Sequence, residues 1–233
     1  QNRLFTINEG TFSIPVVSGN RSQLSADILE TKVTNGAGID IPLSMLVGET
    51  ADPQTNDYVI DVCAAPGGKS IHVAEKLGGS GHVEARDLTP YKVGMIEENI
   101  ERTGLLNIEA VCQDALVYDE GSREKADIVI ADLPCSGLGV LGKKTDLKYK
   151  ATKQGAAELA QMQREMLDVV CRYVKSGGKL LYSTCTVNPA ENEENVRWFL
   201  ETHPEFELAD LRECMKQWKP EACEELLQAV SEE

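Results

Sequence analysis

The sequence predicts an α/β protein: a doubly wound, mostly parallel sheet with a small N-terminal subdomain or arm. Three observations carry this. From Tyr58 onward, apolar runs of strand length alternate five times with amphipathic stretches of helix length. The first of these runs is unbroken in apolar residues, the pattern of a strand buried on both faces. Residues with chemical character fall just past the ends of these runs, on the edge where such sheets hold ligands.

Residues 1–42 are weakly patterned. "EGTFSIPVVSG" (9–19) reads as a short strand and "RSQLSADILETKV" (21–33) as a short helix, neither with evident chemistry. The main domain is expected over 43–212. "YVIDVC" (58–63) is its first strand, "AAPGGK" a turn, and "SIHVAEKLGG" (70–79) a helix closed by glycines. "HVEARD" (82–87) is the second strand. "TPYKVGMIEENIERTG" (89–104) is a helix with Thr89 as N-cap, Pro90 at its first position and Gly104 past its end. "NIEAVCQD" (107–114) and "ADIVIADL" (126–133) are the third and fourth strands. "GAAELAQMQREMLDVVCRYVKSGG" (155–178) reads as one long helix and "KLLYSTC" (179–185) as the fifth strand. "NPAENEENVRWFLETHP" (188–204) is a helix capped by Asn188 and begun by Pro189, and "FELADL" (206–211) reads as a sixth strand. Residues 213–233 form an acidic tail with a helical pattern.

The 233 residues, 42 % of them hydrophobic, give core enough for one domain. No apolar run reaches the roughly 18 residues of a membrane span. The seven cysteines are odd in number and none has zinc-finger spacing, so a reducing, cytoplasmic setting is expected. His72, His82 and His203 are scattered, and no metal site is expected. The chain lacks an initiator Met, so a piece of a longer protein is expected. The net charge of -15 weighs against nucleic acid as a partner. The acid is unevenly spread, however, and "KKTDLKYKATK" (143–153) is a local basic run, so a single RNA-binding groove is still allowed.

The first loop, Cys63 to Lys69, matches neither the dinucleotide fingerprint nor a phosphate-binding Walker loop. Ala64, Ala65, Gly67 and Gly68 carry little or no side chain, so backbone can approach a ligand closely, and Pro66 stiffens the turn. Asp87, ending the second strand, is placed to accept from ribose hydroxyls, and Asp114, after the third, to meet an adenine amino group. Taken alone, each reads as a solvated turn aspartate. Asp132 and Cys135 stand close together after the fourth strand, and Cys185 follows the fifth. A cysteine acts as nucleophile only as thiolate, which a nearby cation such as Lys69 favours. Cys63, Cys112 and Cys171 read as packing residues; Cys214 and Cys223 lie in the tail. The acidic run Glu191 to Glu194 reads as a solvated helix start.

"DVCAAPGGKS" (61–70), "ADLPCSGLGVLGKKTDLKY" (131–149) and "YSTCTVNPAENEENV" (182–196) together resemble the RNA cytosine-5 methyltransferases of the Sun family. The likeness is nearest to the bacterial enzymes that act on small-subunit ribosomal RNA, and it runs from about residue 43 to about 208. It implies a Rossmann-like class I methyltransferase fold, S-adenosylmethionine as cofactor and RNA as partner, with the protein a monomer. By the same resemblance Cys63, Ala64, Ala65, Pro66, Gly67, Gly68 and Lys69 approach the cofactor, Asp87 its ribose and Asp114 its adenine. Asp132 lies between cofactor and target base, Cys185 matches the nucleophile, and Cys135 matches the residue that resolves the covalent intermediate. The family's final glycine- and phenylalanine-containing strand has no counterpart in "RECMKQWKPEACEELLQAVSEE" (212–233), so a missing or altered strand is expected at that sheet edge.

Other readings fit less well. A DNA cytosine-5 methyltransferase would use Pro134-Cys135 as nucleophile and needs a glutamate-bearing strand just after, which is absent. A ribose 2′-hydroxyl methyltransferase needs no paired cysteines. An RNA adaptor that binds cofactor without activity would not need the full set of catalytic residues, and a methyltransferase acting on tRNA stays open.

Overall fold

In the computed structural model, which describes residues 2–8, 32–34, 40–42, 46–137, 153–186 and 188–209, seven strands form one sheet. In chain order the elements are β1 (Asn2–Asn8), β2 (Lys32–Thr34), β3 (Asp40–Pro42), α1 (Leu46–Ala51), β4 (Tyr58–Asp61), α2 (Gly68–Lys76), β5 (His82–Asp87), α3 (Pro90–Thr103), β6 (Ile108–Cys112), β7 (Ala126–Asp132), α4 (Lys153–Val170), β8 (Val174–Thr184), α5 (Glu193–Thr202) and β9 (Phe206–Leu208). The order across the sheet is β6-β5-β4-β7-β8-β1-β9, with every pairing parallel. β2 and β3 form a separate antiparallel pair.

Strand periodicity explains why the sheet is covered on both faces. Successive side chains point to opposite sides. Val59, Ile128, Ile130 and Leu181 join one buried cluster, with Ile71 and Val73 of α2, Leu77 just past its end and Ile96 of α3. Their neighbours Ile60, Val129, Ala131, Leu180 and Tyr182 join the other, with Met166 and Leu167 of α4 and Phe199 of α5. Strands that are apolar on both faces therefore need helices on both faces, and the doubly wound arrangement follows. The caps of α3 match their chemistry. Thr89 accepts from Lys92 N at 3.3 Å, Pro90 opens the helix, and Gly104 closes it at φ 69, a left-handed value suited to glycine.

Several elements differ from the sequence reading. The long helix expected over 155–178 stops at Val170; a short turn, Cys171–Tyr173, leads into β8, which starts at Val174 and is eleven residues long. The apolar residues that prolong the helical pattern, Tyr173 and Val174, are buried by the turn and by pairing of Val174 with Ala126 instead. The helix expected over 188–204 is split. Asn188 caps only a turn, Pro189–Glu191, and α5 begins two residues later. Lys32 and Val33, the end of the helix expected over 21–33, belong to β2 instead, and the rest of that stretch lies outside the described residues. Cys112 is exposed, not a packing residue, because β6 is the edge strand and leaves one side open. On the opposite side β1, from the expected N-terminal arm, runs parallel between β8 and β9, where a final family strand was expected to be missing or altered. The strand read at 9–19, the basic run over 143–152, Cys214, Cys223 and the tail lie outside the described residues. Among the described residues no helix is long and apolar enough to cross a membrane.

From β4 the chain winds outward one way to β5 and β6; it then returns to place β7 on the other side of β4. Loops leaving β4 and β7 thus diverge and open a crevice at their carboxyl ends.

Candidate active site

The loop after β4 is tied down from several sides. Ala64 N donates to Arg86 O at 2.8 Å and Gly67 N to Ala64 O at 2.6 Å. Asn99 Nδ2 of α3 donates to Pro66 O at 2.9 Å. Gly67 has φ 104, and a side chain there would also press on Ile96 Cγ2 at 3.3 Å, so both backbone and space call for glycine. A Cβ at Gly68 would meet nothing within 4 Å, so this stretch of backbone borders open space. No side chain caps the start of α2, and a helix start is a place where backbone N–H groups suit a ligand oxygen.

Asp87 is 2 % exposed and clamps this loop. Its Oδ2 accepts from Ala65 N at 3.0 Å and its Oδ1 from Leu88 N at 2.8 Å, while Lys92 Nζ pairs with Oδ1 at 3.0 Å. Asp114 is half-buried and uses Oδ1 to hold Leu116 N at 2.9 Å. Asp61, absent from the sequence-derived set, sits beneath the loop at 1 % exposure and accepts from Ser70 Oγ at 2.6 Å. Burial pushes the Asp61 carboxyl up to about 7; the Ser70 bond opposes this and the charge of Asp132 reinforces it. Burial likewise holds the Cys63 thiol well above its ordinary value.

Lys69, in the first turn of α2, pairs with Asp132 Oδ2 at 2.8 Å, and Ser183 Oγ donates to Asp132 Oδ1 at 2.8 Å. The aspartate at the end of β7 is thereby fixed between the first loop and β8. Beyond it the two strands stay in step. Asp132 lies opposite Ser183, Leu133 N donates to Ser183 O at 3.2 Å, and Cys135 and Cys185 follow. Their Sγ atoms are 2.8 Å apart, and Cys185 N points at Cys135 Sγ at 3.2 Å. Neither is in a disulfide. The hydrogen bond with Cys185 Sγ, and burial after that, hold the Cys135 thiol well above the ordinary cysteine range. Cys171, by contrast, is buried away from the crevice, and burial pushes its thiol up to about 12.

The tertiary structure thus gathers Lys69, Asp132, Cys135 and Cys185 at one point, with the Cys63–Gly68 loop, Asp87 and Asp114 along the same sheet edge. The residues present fit the cofactor that the resemblance implies: open space over Gly68, an uncapped helix start, and carboxylates after β5 and β6. The sequence reading erred on Glu191, which is not solvated but 0 % exposed, with its carboxylate buried against Ser136. It also missed Gln163. A signal for the latter was available: Ala160, Gln163, Leu167 and Val170 recur at helical spacing, and a glutamine on that apolar stripe needs a buried partner.

Comparison with known proteins gives the family. The sequence model of the family described as "16S rRNA methyltransferase RsmB/F" matches residues 49–227. A protein of Bacillus subtilis (strain 168) named "Probable ribosomal RNA small subunit methyltransferase B" is 43 % identical over 165 residues, 70 % of this chain and 37 % of that protein. The chain therefore spans just over a third of the curated relatives it matches. Among solved structures, PH0851 aligns with a TM-score of 0.66 at 32 % identity, covering 80 % of this chain and 42 % of that one. NSun6 from Pyrococcus horikoshii, solved with SFG, aligns with a TM-score of 0.60 at 32 % identity, covering 68 % and 40 %. With its sheet order, crevice and paired thiols in place and more than half its length matched, the chain belongs to the 16S rRNA methyltransferase RsmB/F family.

Proposed function

We propose that this chain transfers a methyl group from S-adenosylmethionine to carbon 5 of a cytosine in RNA, small-subunit ribosomal RNA by its family, through a covalent bond between Cys185 and the base. The observation that carries this reading is the pair of thiols 2.8 Å apart beside the Lys69–Asp132 ion pair. Carbon 5 of cytosine is a poor nucleophile. Adding Cys185 Sγ at carbon 6 moves the ring's electron pair onto carbon 5, which then accepts a methyl group. The cofactor supplies that methyl in electrophilic form on its sulfonium. Asp132, held by Lys69 and Ser183, accepts from ring nitrogen 3 once that nitrogen has taken up a proton from water, which draws charge from carbon 6. The carbon 5 proton then passes to a base, the sulfur–carbon 6 bond breaks, and Cys185 leaves as thiolate. In this reading Cys135 is the donor of the pair, and its S–H stabilises the departing Cys185 thiolate. Residues 43–212 form the catalytic unit in this reading, with the cytoplasm as its setting. The base has to leave its stack to reach the crevice, so an RNA loop or opened helix is the target.

The test uses the full-length protein with S-adenosylmethionine and unmodified ribosomal RNA, the product being mapped by mass spectrometry. A single 5-methylcytosine is expected. Cofactor binding by calorimetry with no methyl transfer to any RNA would instead mark a binding adaptor.

A further inference from the structure

Glu191 ends the short turn Pro189–Glu191, and none of its surface is exposed. Its Oε2 accepts from Ser136 N at 2.8 Å and Gln163 Nε2 at 3.1 Å. Its Oε1 accepts from Ser136 Oγ at 2.6 Å and Asn188 Nδ2 at 2.9 Å. Two oxygens that each take two donors are the inventory of a carboxylate; an amide of the same shape offers one oxygen and one NH₂. Ser136 is the residue after Cys135. Its hydroxyl also meets Thr186 Oγ1 at 2.7 Å, and Thr186 is the residue after Cys185. Thr186 Oγ1 further accepts from Asn188 N at 3.2 Å. One carboxylate therefore holds Ser136 directly and Thr186 through the Ser136 hydroxyl.

The support behind it is also polar and buried. Gln163 Nε2 donates to Pro134 O at 2.8 Å, fixing the residue before Cys135. Tyr182 OH donates to Glu191 O at 2.5 Å, and Asn195 Nδ2 to Gln163 Oε1 at 2.9 Å. Gln163 and Asn195 are 0 % exposed and Tyr182 2 %. Apolar side chains of equal volume would serve stability as well or better than a buried carboxylate. What the carboxylate adds is direction: its acceptors are satisfied in one arrangement of the two loops, and a half-made buried network is costly.

We propose that Glu191 is a positioning residue that sets the Cys135 loop against the Cys185 loop and so fixes the approach of their sulfurs. This role rests on the proposed reading of the two cysteines as the reacting pair. Its test pairs Glu191→Gln with Ser136→Ala in the full-length protein. Diamide oxidises two neighbouring thiols to a disulfide while it is itself reduced to the hydrazine, so it reads sulfur–sulfur proximity with neither RNA nor cofactor present. Wild type is expected to close a Cys135–Cys185 disulfide, seen by peptide mass mapping. Glu191→Gln places an NH₂ against donors and is expected to close it about tenfold more slowly, with kcat for RNA methylation down by about tenfold or more and both KM values within about twofold. Ser136→Ala keeps its backbone N–H on the carboxylate and is expected to fall between; it carries the test if Glu191→Gln does not fold. Folded variants that cross-link and turn over like wild type overturn the proposal. Cross-linking slowed in the variants of a protein that never methylates RNA upholds the positioning role and overturns the proposed activity instead.

Discussion

Cys135 Sγ and Cys185 Sγ stand 2.8 Å apart although fifty residues separate them in the chain. Adjacent parallel strands that end together bring them there, and in the proposed reading the two play unequal roles.

Removing each thiol is therefore expected to give opposite results. Cys185→Ala abolishes methylation and any covalent RNA adduct, because no bond to carbon 6 can form. Cys135→Ala still allows attack and methyl transfer but slows departure of the sulfur, so a protein–RNA species accumulates on a denaturing gel. An adduct that survives Cys185→Ala and vanishes with Cys135→Ala would falsify the assignment. A thermal melt on both variants checks that the fold is kept.

Asp132 is expected to act through its contact with the base. Asp132→Asn keeps shape but loses charge, and should lower kcat by about a hundredfold or more, within the range for general acid–base groups. Lys69→Met removes the cation 2.8 Å from Asp132 and should act in the same direction. Steady-state kinetics at saturating cofactor measure both; a kcat equal to wild type in Asp132→Asn removes Asp132 from the chemistry.

Asp87 clamps Ala65 N and lies where cofactor ribose is expected. Asp87→Ala should weaken S-adenosylmethionine binding by about 1.5–3 kcal/mol, the range for hydrogen bonds to a charged group. Titration calorimetry gives the answer directly, and unchanged affinity in a folded variant rejects the role.

Asp61 should leave a mark on the pH dependence of stability. Its folded-state value, about 7, lies above the ordinary 3.8 of the unfolded chain. Between those values the folded state holds the extra proton, so this group's contribution to stability falls as pH rises from about 4 to about 7 and is level above. Asp61→Asn does not titrate. The melting temperature of wild type minus that of Asp61→Asn is expected to decline across that window. A difference that stays flat or climbs with pH speaks against a buried, proton-binding Asp61.

How much of this was legible in the chain follows from which forces are local. Apolar runs from Tyr58 to Thr184 announced the parallel sheet because strands buried on both faces need unbroken hydrophobicity, and Thr89, Pro90 and Gly104 marked the limits of α3 because caps are made by neighbours in sequence. Cys135, Cys185, Asp132 and Lys69 could be named from the sequence since each sits at a strand end or in the turn after one. What sequence could not decide was anything set by partners far along the chain. The 2.8 Å between the thiols depends on the register of β7 against β8. The end of α4 at Val170 depends on Val174 finding Ala126 across the sheet. Glu191 is acidic, beside other acids, at a helix start, and by local rules belongs in water; only tertiary structure supplies the Ser136 and Gln163 donors that make its burial favourable.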